Sequence, residues 1–197
     1  MEPFRRLLAD DDAATGGVPD READDRPRVA LFVDGPNVLR DEFDVDLDDV
    51  REAAAAVGRP TARRLYLDEH ATPGLIQAAE ARGFEVVVTS GDVDVRLAVD
   101  LTRFVVEGRA DVIAIASRDT DFKPAIETAN AYGLRTLAIA PGKYGRSDAL
   151  RNAASDSITL GGDAPRPERG ERDDGRARLV GYDEERGDGD DRDGNGS

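Results

Sequence analysis

A chain of 197 residues with a net charge of −15 can bury one sizeable core, and its lack of cysteine excludes disulfides, thiolate metal sites and cysteine nucleophiles. No run approaches the ~18 apolar residues of a membrane span and the amino terminus has no apolar signal segment, so a cytoplasmic protein is expected. The acids are 29 Asp and 13 Glu against 25 Arg and 2 Lys, a skew that resembles salt-in halophile proteins with dense anionic surfaces.

Residues 1–27 are polar and rich in Asp, Gly and Pro, and residues 161–197 are mostly Gly, Asp, Arg and Glu. Neither segment can bury enough surface to offset its ordering entropy. Two disordered acidic tails around one domain over 28–160 are therefore expected. The tails carry −4 and −5 of the net charge and the domain −6. In roughly molar salt, where the Debye length is about 3 Å, total charge says little against a nucleic-acid partner.

Val29 to Val33 is an apolar run of strand length, closed by Asp34, Gly35, Pro36 and Asn37. Leu47, Val50, Ala54 and Val57 recur at helical spacing up to Gly58. Further strands are expected at 64–67, 84–89, 112–116 and 134–140, with a sixth at 157–160. Helices are expected at 73–82, 93–107, 122–132 and 147–153; Gly83, Gly108 and Gly133 stand just past the ends of the first three. Alternating buried strands and helices predict an α/β domain whose parallel sheet is covered on both faces.

The strand at 112–116 runs into Ser117, Arg118, Asp119, Thr120 and Asp121. In such a sheet the carboxyl ends of the strands are where ligands bind. Two carboxylates ~4 Å apart at an effective dielectric of ~20 repel by roughly 4 kcal/mol. A shared proton or a cation must offset this, and a divalent metal is the expected solution. Asp34 ends the first strand, which right-handed crossovers make a neighbour of the fourth. At ~100° per residue, Asp94 falls at the centre of the stripe formed by Leu97, Ala98, Leu101, Phe104 and Val105. Asp100 lies on the margin of that stripe and is the weaker candidate. Asp92 is expected to cap the helix. Asn37 should face whatever Asp34 holds, although Asn also punctuates turns. Asp119 has a plain alternative as the cap of the helix that follows.

The stretches VALFVDGPN (29–37), GDVDVRLAVD (91–100) and SRDTDF (117–122) resemble, in order and spacing, the NYN domain of the PIN-like ribonuclease superfamily, its archaeal members above all. The resemblance spans the whole core. It implies a PIN-like Rossmannoid three-layer sandwich with central strand order 3-2-1-4-5. It also implies an acidic pocket in which Asp34, Asp94, Asp119 and Asp121 are metal-binding or catalytic, with Asn37 as a polar helper. The commoner loop of that family reads S-G-D-x-D-F, and Arg118 stands where its Gly does. Either the turn differs here, since Arg does not take positive φ cheaply, or a guanidinium stands beside the scissile phosphate; both remain open.

Such a pocket would hydrolyse RNA with one or two Mg²⁺ or Mn²⁺ ions held by the carboxylates. Asn37 and Ser117 would orient water or phosphate. Arg40, Arg96, Arg118, Lys123, Lys143 and Arg146 are candidate phosphate contacts, each with the alternative of being a solvated charge. His70 is expected on the surface, and no P-loop or acyl-transfer triad is present. A non-catalytic RNA- or metal-binding regulator is the main competing reading, and a phosphomonoesterase the next. RNA is the expected partner, with a second copy or another protein reached through the tails, and no membrane.

Overall fold

The computed structural model describes residues 25–161 except 41, 42, 44 and 143–146. Nearly all of both expected tails, together with Lys143 and Arg146, lies outside the described residues.

Six strands form one parallel sheet in the order β3-β2-β1-β4-β5-β6: β1 (Arg28–Asp34), β2 (Arg59–Asp68), β3 (Glu85–Thr89), β4 (Val112–Ala116), β5 (Arg135–Pro141) and β6 (Asp156–Leu160). This is the expected order, extended by β6. The centre of the sheet is apolar on both faces because the pleat sends alternate residues to opposite sides. Val29, Leu31 and Val33 enter one core with Val112, Ala114 and Ala116, while Ala30 and Phe32 enter the other with Ile113 and Ile115. The first core is closed by α1 (Gly35–Val38), α2 (Leu47–Ala55) and α3 (Pro73–Ala81). The second is closed by α4 (Val93–Val106), α5 (Lys123–Ala131) and α6 (Asp148–Ala153).

Local chemistry sets the helix starts. Asp46 and Asp49 form a reciprocal capping box on α2, Thr72 caps α3, Asp92 caps α4 and Ser147 caps α6. Gly83, Gly108 and Gly133 follow α3, α4 and α5 in the left-handed conformation, with φ of 79°, 62° and 81°. β2 is longer than the expected 64–67, because its amino-terminal half, with Arg59 and Arg63, pairs with β1 without being fully buried. The helix expected from 122 begins as a separate 3₁₀ turn, Thr120–Phe122, before α5.

The order reverses between β1 and β4, which pair from Val29–Val112 to Val33–Ala116. The carboxyl ends of these two strands form the crevice of the sheet. β1 ends on Asp34, β4 runs into Ser117, and α4 begins beside the same edge with Asp94 in its first turn.

Candidate active site

Asp34 is the deepest acid of the site, with no exposed surface. Its Oδ2 accepts from Ser117 Oγ at 2.7 Å and from Asn37 Nδ2 at 2.8 Å. Its Oδ1 accepts a long bond from the Asn37 backbone N–H at 3.4 Å, so Asp34 also caps α1. Burial pushes the Asp34 carboxyl up, the bonds from Ser117 and Asn37 oppose the rise, and the charge of Asp119 adds to it.

Ser117, itself buried, accepts from the Asp119 backbone N–H at 3.0 Å. Asp119 in turn accepts from the Asp121 N–H at 2.9 Å, so it caps the 3₁₀ turn. The plain alternative raised for Asp119 is thus met by the structure, while its charge still faces the crevice acids. Asp94 is half-buried in the first turn of α4. Burial raises its pKa to about 6, helped by the negative charges of Asp34, Asp119, Asp92 and Asp121. These acids, remote in sequence, stand in one another's field at one mouth of the sheet. Asp92, as expected, spends its side chain on capping, accepting from the N–H groups of Asp94 and Val95.

Arg118 donates Nε to Asn37 Oδ1 at 3.3 Å, and its Cζ lies 5.5 Å from the centre of the Phe43 ring. Arg40 folds back to donate to Pro36 O at 2.9 Å. Lys123 is exposed and pairs with Glu127 at 3.4 Å. Arg96 pairs with Asp100 at 3.1 Å rather than facing the crevice. His70 is on the surface, as expected.

Asp100 is more deeply buried than Asp94, the reverse of the expectation from the wheel. Its Oδ2 accepts from Tyr66 Oη at 3.1 Å, Arg96 Nε at 3.1 Å and Arg64 Nη1 at 3.3 Å. It is a structural anion that ties α4 to β2. Burial, then the Asp100 charge, holds the Tyr66 hydroxyl well above the usual phenol range, so it stays a donor.

Among the described residues no group of three or more His, Cys, Asp or Glu is arranged to hold a metal ion by itself. The chemistry nonetheless fits a hard divalent cation. All donors are carboxylate oxygens, burial together with their mutual repulsion raises Asp94, and Mg²⁺ keeps most of its waters and takes one or two protein carboxylates directly.

The NYN domain model matches residues 28–161. The chain belongs to the NYN domain family. That family lies within the PIN-like superfamily, and the α/β fold with its 3-2-1-4-5-6 sheet agrees with it. An uncharacterized protein of Methanocaldococcus jannaschii is 43% identical over 134 residues, covering 68% of this chain and 55% of the relative. The chain thus spans about half the length of this curated relative. A solved structure of a Vibrio parahaemolyticus protein of unknown function superposes with a TM-score of 0.59 at 20% identity, covering 71% of this chain and 96% of that one. It shares the fold.

Two residues of this NYN domain escaped sequence reasoning. A Cβ on Gly35 would lie 2.4 Å from Leu67 Cδ2 and 2.6 Å from the Tyr66 carbonyl oxygen, so only glycine lets the chain after Asp34 press against β2. Phe43, set among acids in sequence, is buried beneath Arg118. Neither role has a local sequence signal, because both depend on a partner from another segment. Among the described residues no helix is long and apolar enough to cross a membrane.

Proposed function

We propose that this chain is a metal-dependent ribonuclease that hydrolyses RNA phosphodiester bonds at the carboxylate mouth of its sheet. The observation that carries the reading is Asp94, raised to about 6 by burial and by the charges of Asp34, Asp119, Asp92 and Asp121, at the switch point of a NYN fold. Asp34, Asp94, Asp119 and Asp121 would hold Mg²⁺ or Mn²⁺ through oxygen. When bound, the cation supplies a Lewis acid that activates the attacking water and offsets phosphoryl charge. Ser117 and Asn37 donate to the buried Asp34 and oppose the rise that burial imposes on its carboxyl. Lys123, exposed at the start of α5, would be the candidate contact for the phosphate backbone.

The competing reading is a regulator in which the same acids bind RNA or metal without turnover. Incubating the purified chain with single-stranded and structured RNA in high KCl, with Mn²⁺, Mg²⁺ or EDTA, separates the two. Cleavage that requires metal and disappears in Asp119→Asn, at an unchanged melting temperature, is expected. RNA binding without cleavage in any metal or salt would establish the regulator, and hydrolysis of small phosphomonoesters alone would indicate a phosphatase. The high-salt arm follows from the Asp-rich, Lys-poor composition, which fits a cytoplasm at high salt.

A further inference from the structure

We propose that Arg118 is a positioning residue, whose guanidinium dictates which way the Asn37 amide faces and thereby how Asp34 is held. An Asn side chain has two ends of nearly equal shape, one a carbonyl acceptor and the other an NH₂ donor, so its neighbours decide its orientation. Here the neighbours are opposites. A guanidinium only donates, and an ionised carboxylate only accepts. With Oδ1 toward Arg118 Nε (3.3 Å) and Nδ2 toward Asp34 Oδ2 (2.8 Å), both contacts are satisfied. Turning the amide over would set NH₂ against the guanidinium and carbonyl oxygen against the carboxylate. Without Arg118 only the second conflict would remain.

The guanidinium has its own support, since its Cζ stands 5.5 Å from the centre of the buried Phe43 ring. The preceding residue, Ser117, reaches the same carboxylate directly, donating to Asp34 Oδ2 at 2.7 Å. Residues 117 and 118 thus hold one carboxylate by two routes, both ending on Oδ2. Oδ1 is left with the long 3.4 Å bond from the Asn37 backbone, so it is the more loosely held of the two oxygens.

The proposal uses the ribonuclease reading for its effect on turnover, whereas its geometric content can be tested in the metal-free protein. Nitrogen-15 NMR of the Asn37 side-chain amide provides that test. In the parent protein one Nδ2 proton is expected downfield and slow to exchange, as a donor to a buried carboxylate. Arg118→Ala should collapse the separation of the two protons and speed their exchange, and Arg118→Lys, which keeps a donor-only cation, should restore part of it. Mn²⁺ affinity should fall about 10-fold in Arg118→Ala, the usual size for a group supporting a metal ligand. RNA cleavage should lose kcat about 10-fold with KM changed less than about 2-fold. Asn37 amide signals identical in parent and Arg118→Ala would overturn the proposal. A raised KM at unchanged kcat would overturn it too, in favour of a direct phosphate contact. Should the parent protein cleave no RNA, the ribonuclease reading fails, and the amide spectra still decide the role of Arg118. A melting temperature for each variant, with Arg118→Lys as the second substitution, separates repositioning from misfolding.

Discussion

Ser117 Oγ donates to Asp34 Oδ2 at 2.7 Å, joining the ends of two neighbouring strands across 83 residues of sequence. The Asp119 N–H donates to the same hydroxyl oxygen at 3.0 Å, which leaves the hydroxyl proton for Asp34. A fully buried carboxylate is thereby kept supplied with donors, and the loop carrying the second pair of acids is tied to the first.

Removing that hydroxyl should act on both ends. Ser117→Ala is expected to lower stability by about 1–3 kcal/mol, the cost of leaving a buried acceptor short of a partner. Urea denaturation would measure the loss. Ser117→Thr, which keeps the hydroxyl, should recover part of it. Metal-dependent cleavage should fall in Ser117→Ala more than in Ser117→Thr.

Asp94 predicts an unusual pH slope. Its pKa rises from an ordinary 3.8 to about 6 on folding, so the folded protein binds this proton more tightly than the unfolded chain does. The stability of the metal-free protein should therefore fall as pH rises through that interval, with the penalty fully present above it. Asp94→Asn removes the titrating charge. It should raise the melting temperature at pH 7.5 without metal by about 1–3 °C, while abolishing cleavage. Thermal melts from pH 4 to 8 should show a shallower slope in the variant than in the parent, with buried Asp34 supplying what remains; an unchanged slope would assign it to another group.

Asp100 should behave in the opposite way. Asp100→Ala removes the acceptor of the Tyr66 hydroxyl and one of the two acids paired with Arg64, so a loss of about 3 kcal/mol is expected in urea unfolding. Asp100→Asn, which keeps an acceptor, should lose less. Addition of Mn²⁺ should still raise the melting temperature of Asp100→Asn, as binding to the folded state does, whereas Asp94→Asn should lose most of that rise. Equal metal responses in the two variants would contradict the separation of site from scaffold.

Gly35→Ala tests the approach of α1 to β2. Its methyl group would meet the Tyr66 carbonyl oxygen at 2.6 Å, and backbone cannot turn aside as a side chain can. Overpacking of this kind costs about 1–3 kcal/mol, and the shift should pass directly to Asp34, next in the chain. Calorimetry should show a lower melting temperature, and cleavage should fall further than the loss of folded protein explains.

The elements and their succession along the chain are legible in single segments. The apolar runs at 29–33 and 112–116 are buried strands, Gly83, Gly108 and Gly133 end helices, and Asp94 falls in the first turn of α4. These are properties of a few consecutive residues, so they can be read in one pass. The folded arrangement was needed to see that Asp100 belongs to Tyr66 and Arg64, that Arg96 serves Asp100, and that Gly35 must be glycine because β2 lies against it. It alone also set Arg118 on Asn37 and Phe43. Periodicity tells which way a side chain points from its own element, whereas its partner is fixed by the register between strands and the seating of helices on the sheet, which no single segment contains.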